Sequence, residues 1–260
     1  MLDFHIHLAR LPHPKQLTQL LYSGDYDFIA IACEPWEWES TANLKKELST
    51  DNKPFKTSYG IHPMIATQVS DADFEQLKSY LETDGVASVG ECGLDKRYPG
   101  YGENGVQEAV FKRQIELAKE LGRDLQIHCV GDYGRVVALL KAAKYPPLSD
   151  AAGLSGSAVL LNAAKPVPRP VFHRFGGDAG IVRAALPMGA IFSLHADSFK
   201  KKSTLAAISL IPAESVRFET DADETTFAGN ATAEHSVEQT VQALKERWLA
   251  AKSLWENLRV

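Results

Sequence analysis

Apolar segments that alternate with amphipathic segments constrain the fold of this chain most strongly. Several of the apolar segments are apolar throughout, as expected for parallel strands buried on both faces. The predicted strands are Leu2–Leu8, Asp27–Cys33, Lys56–His62, Val86–Glu91, Leu125–Val130, Val171–Phe175, Ala190–Leu194 and Val216–Thr220. Eight such strand–helix units in 260 residues predict an α/β fold, a (β/α)8 TIM-type barrel, regular or somewhat distorted.

The helical segments support the same architecture. Phe111, Ile115 and Ala118 follow helical spacing, and Gly122 is placed to end that helix. In the last segment Trp248 and Trp255 lie on one apolar stripe, which favours packing against the barrel over a ligand platform. We expect a single domain over residues 1–260 with an inserted loop at about 145–170, a stretch rich in Pro, Ser, Gly and Ala.

Composition excludes several classes of protein. The net charge of −5 gives no general attraction to polyanions, and no apolar run reaches the roughly 18 residues of a membrane span. The first residues do not form a secretory signal. Cys33, Cys92 and Cys129 are too few and too scattered for a disulfide framework or a CxxC metal site. We expect a cytoplasmic protein with no membrane contact, and the sequence indicates no stable protein partner.

Histidines and carboxylates near the ends of the predicted strands are the candidate functional residues. His5 and His7 alternate along the first strand and therefore share one face, where two imidazoles can bind one divalent cation. A lone pair of this kind is more often structural. Four further candidates fall at or after strands four, five, six and eight, namely Glu91, His128, His173 and Asp221. Because the carboxyl ends of barrel strands converge, we expect all of these side chains to meet at one mouth.

The number of candidate ligands indicates two metal ions. Four histidines and two carboxylates exceed the three protein ligands of a single catalytic zinc. They match two metals about 3.5–4 Å apart that share a carboxylate and a water, whose lowered pKa yields a bridging hydroxide. Glu91, opposite the first strand, is the predicted bridge. Zinc, manganese and magnesium all remain open, although the histidines suit zinc or manganese better.

Motifs in a fixed order along nearly the whole chain carry a family resemblance. They are Asp3-Phe4-His5-Ile6-His7, Tyr59-Gly60-Ile61-His62-Pro63, Gly90-Glu91-Cys92-Gly93-Leu94-Asp95, Phe172-His173-Arg174-Phe175-Gly176-Gly177 and Glu219-Thr220-Asp221-Ala222. This set resembles the TatD-like metal-dependent hydrolases (the TatD DNase family), a branch of the amidohydrolase-type TIM barrels. The resemblance implies a two-metal phosphodiesterase or deoxyribonuclease that often acts on DNA ends.

The resemblance also implies roles for individual residues. One metal is expected at His5, His7, Glu91 and Asp221, and the other at Glu91, His128 and His173. Glu91 and Asp221 are the predicted catalytic residues, with Asp221 as acceptor of a proton from the attacking water. His62 is expected to hold a substrate phosphate, with help from Arg97 or Arg174. We also predict substrate contacts for Asp95 and His195, although a loop cap and a loop hydrogen bond explain these two residues nearly as well.

Departures from the family pattern leave the substrate open. Ala9 stands where the family carries an acidic residue, and Asp223 stands where it carries a proline. In the segment Asn230-Ala231-Thr232 the proline of the family's Asn-x-Pro motif is also missing. The expected substrate is a phosphodiester in a small molecule or at a nucleic-acid end. One alternative, favoured mildly by the acidic charge, is an amidohydrolase-type enzyme that cleaves an amide, ester or lactone. The other is a non-catalytic binding descendant, against which the full ligand set argues.

Overall fold

Eight parallel strands form a closed barrel in the computed structural model, which describes residues 1–50, 53–102, 105–144, 168–227 and 236–259. Each strand pairs with its neighbours in chain order, and β8 closes the barrel against β1. The strands are β1 (Leu2–Ile6), β2 (Asp27–Ala32), β3 (Lys56–Tyr59), β4 (Ser88–Asp95), β5 (Leu125–Val130), β6 (Pro170–Phe172), β7 (Ile191–Leu194) and β8 (Val216–Phe218). The predicted (β/α)8 barrel is confirmed.

Helices follow the strands and surround the barrel. They are α1 (Pro14–Ser23), α2 (Pro35–Leu48), α3 (Asp71–Thr83), α4 (Val106–Leu121), α5 (Tyr133–Ala142), α6 (Ala179–Ala185), α7 (Lys202–Ile208) and α8 (Val237–Leu258). Gly122 ends α4 in the left-handed conformation, as predicted. Trp248 and Trp255 of α8 both contact the ring of Phe218 on β8, so the last helix packs against the barrel as expected.

Several strand ends differ from the prediction, and the differences bear on the site. Glu91 does not end β4, because the strand continues to Asp95 and its last residues pair with β5. His128 likewise lies two residues before the end of β5. His173 does not lie within β6 but directly after it, since the extended backbone stops where Arg174 adopts a positive φ of 42°.

Two predicted features lie outside the residues that the structure describes. Most of the insert expected at about 145–170 is in the segment 145–167, and Asn230-Ala231-Thr232 is in the segment 228–235; neither segment belongs to the described residues. Within the five described ranges, no helix combines the length and the apolar character that crossing a membrane requires.

Candidate metal centre

All six predicted ligand side chains meet at the carboxyl end of the barrel. Five of them are more than nine-tenths buried, and the side chain of Asp221 is 12% exposed. Five of the six line a cavity of about 480 Å³, the exception being His5, which is fully buried. The cavity is also lined by His62, Tyr98, three arginines (Arg10, Arg97 and Arg174) and the acidic pair Asp223 and Glu224.

Glu91 lies at the centre of the cluster, and its two carboxylate oxygens face different histidines. Oε2 is 3.3 Å from Nε2 of His5 and 3.3 Å from Nε2 of His7. Oε1 is 2.6 Å from Nδ1 of His128 and 2.8 Å from Nε2 of His173. Asp221 Oδ1 joins the first group, 3.8 Å and 3.7 Å from the same two nitrogens. One carboxylate thus separates two sets of imidazoles.

A local irregularity in the sheet positions Glu91. The register between β4 and β5 shifts between Gly90 and Cys92, so Glu91 is the extra residue of a bulge. Gly90 has a φ of 130°, and a Cβ there would lie 2.3 Å from the carbonyl oxygen of Gln126. The bulge therefore requires glycine beside the carboxylate.

Asp95 fixes the orientation of His128. The Asp95 carboxylate accepts a hydrogen bond from His128 Nε2 at 2.8 Å and is also held by the Arg97 guanidinium. Burial alone would raise the pKa of Asp95, but the hydrogen bonds from His128 and Arg97 lower it, so the group is ionised. Donation from Nε2 to Asp95 leaves Nδ1, on the Glu91 side, as the nitrogen of His128 that could bind a cation once it is deprotonated. This carboxylate–histidine arrangement is how proteins commonly orient a metal ligand.

The imidazole of His62 faces the cavity as a hydrogen-bond donor. Its Nδ1 accepts the backbone N–H of Met64 at 3.0 Å, which leaves the proton on Nε2. Burial, together with the neighbouring His128, lowers the pKa of His62 to about 3, so the ring is neutral. Nε2 lies 3.6 Å from Glu91 Oε1. Since Nε2 carries a proton, it suits an anionic oxygen of a ligand better than a cation.

The other two predicted substrate residues are placed differently. Asp95 and His195 are buried and are not among the described residues that line the cavity. Nδ1 of His195 accepts the backbone N–H of Asp197 at 3.1 Å, and burial, followed by the nearby Arg174, lowers the pKa of its ring. Each residue therefore has a structural partner, and substrate contact at either stays a prediction.

Sequence reasoning gave no role to two residues that border the cluster. Glu219 is fully buried, with Oε1 3.4 Å from Nδ1 of His173. Its place in the motif Glu219-Thr220-Asp221 was the available signal. Arg10 lines the cavity and donates from Nε to Glu37 Oε1 at 2.6 Å. Its position three residues after His7 could have indicated it, but neither periodicity nor strand placement singles it out.

The donor set fits divalent cations. The candidate ligand atoms of His5, His7 and Glu91 all lie within 4.8 Å of one another, as do those of His5, His173 and Asp221. Nδ1 of His128 is only 3.2 Å from Nε2 of His173, with Glu91 Oε1 next to both, an arrangement that a cation would stabilise. Burial would raise the pKa of Glu91, but the surrounding imidazoles of His173, His62 and His5 lower it well below its usual range. Imidazole and carboxylate are ligands of zinc and similar metals.

A closed parallel barrel with buried histidines and a shared carboxylate at its carboxyl end is the arrangement typical of metal-dependent hydrolases of the TIM-barrel class. The sequence profile of one family, TatD related DNase, matches residues 2–257. The chain belongs to this family, as its motifs predicted.

Individual relatives agree with the family assignment. The 3'-5' ssDNA/RNA exonuclease TatD of Edwardsiella piscicida is 30% identical over 166 residues, which are 63% of this chain and 56% of that protein. An uncharacterized metal-dependent hydrolase TatD of Mycobacterium tuberculosis is 30% identical over 195 residues, 72% of this chain and 66% of the relative. The chain thus spans 56% and 66% of the lengths of these two relatives.

Solved structures share the fold at lower identity. A TatD family hydrolase from Entamoeba histolytica superposes with a TM-score of 0.71 at 16% identity, covering 100% of this chain and 91% of the other. A TatD homologue from Escherichia coli gives 0.67 at 19% identity, covering 96% and 97%. At these identities the likeness concerns the barrel architecture.

Proposed function

We propose that this protein is a two-metal nuclease that hydrolyses a phosphodiester bond at the end of a single-stranded nucleic acid. One metal would be held by His5, His7, Glu91 and Asp221, and the other by Glu91, His128 and His173. The division of the two Glu91 oxygens between two sets of histidines carries this proposal. A bridging carboxylate of this kind is typical of two-metal hydrolases.

Besides two metal ions, the proposed hydrolysis needs a group that accepts a proton from the attacking water, and a side chain of the cluster can serve. When bound, the two cations activate a water and offset charge on the phosphate oxygens. Asp221 is ionised, because neighbouring histidines, His7 first among them, lower its pKa against the effect of burial. It can therefore accept a proton, and Arg174 holds its other oxygen, Oδ2, at 2.7 Å.

The substrate would be held by donors on the cavity wall. Nε2–H of His62 and the guanidinium groups of Arg97 and Arg174 can donate to phosphate oxygens. A cavity of about 480 Å³ lies within the roughly 300–1,000 Å³ of small-molecule sites and suits a chain end better than a long duplex. The Edwardsiella piscicida relative is named a 3'-5' ssDNA/RNA exonuclease, which supports the same substrate class.

A second candidate function rests on the acidic residues of the cavity wall. Asp223 and Glu224 line the cavity and would repel a polyanion. They favour, as an alternative, an uncharged small substrate such as an ester, amide or lactone, whose carbonyl carbon the same activated water can attack.

A substrate panel separates the two candidates. Metal-depleted protein would be reconstituted with zinc, manganese or magnesium and assayed on a single-stranded oligonucleotide, bis-p-nitrophenyl phosphate, a lactone and an amide. We expect metal-dependent release of nucleotides from an oligonucleotide end. Glu91→Gln should lower kcat/KM by at least ~100-fold, since even residues that merely orient a ligand cost 10–100-fold. Glu82→Gln, at an exposed position on α3, is the matched control. Turnover of the lactone or amide without phosphodiester cleavage would reject the nuclease proposal.

A further inference from the structure

An exposed tryptophan lies near the catalytic mouth of the barrel, and its packing among the described residues does not explain it. The side chain of Trp36 is 54% exposed. Trp38, two residues later on the same helix, is fully buried and donates from Nε1 to the carbonyl oxygen of Gly60 at 3.0 Å. Helix α2 therefore fastens to the barrel through Trp38. Burial of apolar surface does not account for Trp36.

Trp36 lies on the catalytic side of the barrel. It is the second residue of α2, which begins at Pro35, shortly after β2 ends at Ala32. The carboxyl ends of all strands open toward the metal cluster, and Cys33, between the strand and the helix, lines the cavity. An aromatic ring in this first helical turn is thus close to the mouth.

Arg10 connects the indole of Trp36 to the cavity. Its guanidinium carbon lies 5.8 Å from the Trp36 ring centroid, within the range of a cation–π contact, and Arg10 itself lines the cavity. Arg10 is also held by the carboxylates of Glu34 and Glu37. These two contacts fix the Arg10 guanidinium beside the indole, so Arg10 can hold the ring of Trp36 in place.

We infer that Trp36, supported by Arg10, is a stacking site for a nucleobase next to the bond that is cut. This inference rests on the proposed nuclease function and adds a base-binding subsite to it. A net charge of −5 and the carboxylates of Asp223 and Glu224 weaken any binding through phosphates alone. Stacking on an aromatic ring needs no charge and accepts every base, so it can supply that missing affinity.

The test compares oligonucleotides that differ only in the base. One single-stranded oligonucleotide carries normal bases near its cleaved end, and the other carries abasic sites there. We expect the wild-type protein to have a lower KM for the normal oligonucleotide. Trp36→Ala should raise that KM by about fivefold to tenfold, the lower part of the range for stacking one base on an aromatic side chain. The KM for the abasic oligonucleotide should change little, and Trp36→Phe should recover most of the preference.

Control variants and outcomes keep the inference distinct from the function it rests on. Val86→Ala removes an apolar side chain that is 75% exposed before β4, at the opposite end of the barrel, and should leave both KM values unchanged. If the wild type cleaves both oligonucleotides and Trp36→Ala keeps the preference for bases, the stacking site is wrong while the nuclease stands. An equal loss on both oligonucleotides would also reject it, in favour of a structural role. If the wild type cleaves neither, both proposals fail.

Discussion

At the scale of single residues, hydrogen bonds decide what each histidine at the mouth can do. His128 donates a hydrogen bond from Nε2 to Asp95, so that Nδ1, 2.6 Å from Glu91 Oε1, is the nitrogen available to a cation. His62 accepts the N–H of Met64 and presents a proton instead. In the sequence both histidines lie near the end of a predicted strand, so strand placement alone does not distinguish the role of His62 from that of His128. Their hydrogen-bond partners thus distinguish a candidate metal ligand, His128, from a candidate donor, His62.

The buried, neutral state of His62 makes the stability of the metal-free protein depend on pH. Its pKa is lowered to about 3 by burial and by His128, whereas the unfolded chain binds a proton near the ordinary value of 6.5. The unfolded state therefore gains a proton first as the pH falls, and His62 costs stability in acid. From about pH 7 to about pH 5 this amounts to about 2 kcal/mol. The His62→Gln variant lacks this titrating group. Between these two pH values it should therefore lose less unfolding free energy than the wild type, by up to about 2 kcal/mol.

Urea unfolding of chelator-treated protein at about pH 7 and about pH 5 measures this difference. His13→Gln, which removes an exposed histidine at the start of α1, is the control and should behave as the wild type does. Identical pH dependence in His62→Gln and the wild type would mean that His62 is not held neutral by its surroundings.

At the scale of the elements, the sequence predicts the strands better than their ends. Predominantly apolar segments, several of them apolar throughout, identified all eight strands, because burial on both faces leaves a strong compositional signal. The extension of β4 to Asp95 left no such signal, since it depends on pairing with β5. The site residues show the same contrast between what the sequence predicts well and what it does not. Strand placement brought the six candidate ligands together, whereas Arg10 and Trp36 belong to connecting segments and helix starts, whose positions depend on tertiary contacts.

Close contact between two elements at Gly60 and Gly90 gives a test at this scale. A Cβ on Gly60 would lie 2.4 Å from the Cα of Gly90, so the clash is with backbone and no rotamer relieves it. Gly60→Ala should push β4 and its Glu91 away from β3, with a loss of about 1–3 kcal/mol in unfolding free energy. We also expect weaker metal binding. Thermal unfolding and metal titration measure both effects.

Gly85 provides the matched comparison, because a Cβ there meets nothing within 4 Å. Gly85→Ala should leave the melting temperature and the metal affinity close to those of the wild type. Wild-type metal affinity in Gly60→Ala would show that Glu91 does not depend on this contact for its position.

At the scale of the whole molecule, the candidate metal ligands lie on both sides of one of the most sparsely paired joins of the barrel, the seam between β1 and β8. Strands β1 and β8 pair at a single position, Asp3 with Phe218, and the bridge between Ile6 and Ala222 adds one more. By contrast, β4 and β5 pair at six positions. A cation held by His5 and Asp221 would join the two sides of this seam. Metal binding would therefore stabilise the closure of the barrel as well as the reaction centre.

Metal removal should loosen the seam selectively. At a free metal concentration of 100 times Kd, binding adds about 2.7 kcal/mol, or roughly 5–10 °C in Tm for a chain of this size. Among the hydrogen bonds that cross the seam in the described residues are His7 N–H to Ala222 O and Asp221 N–H to His5 O, both at 2.9 Å. We expect chelation to speed their hydrogen exchange more than that of Gly60 N–H, which bonds to Ala32 O across β2 and β3. Equal changes at all three amides would indicate that the metals stabilise the barrel without joining β1 to β8.

The same stabilisation should disappear in acid. Burial would lower the pKa of both His128 and His173, yet both pKa values are raised in the metal-free protein. Asp95 and Glu91 raise the pKa of His128. Glu91 and Glu219 raise the pKa of His173. A ligating imidazole must be deprotonated, so protons compete with the metal for these nitrogens. Because both pKa values are raised, this competition begins at a pH above the ordinary histidine pKa of 6.5 and grows as the pH falls. The protonated, metal-free cluster also keeps its own ion pairs at low pH and loses them as the pH rises. The difference in Tm between metal-loaded and chelated protein should therefore shrink steadily from about pH 8 to about pH 5. A constant difference across this range would show that these imidazoles are not the ligands.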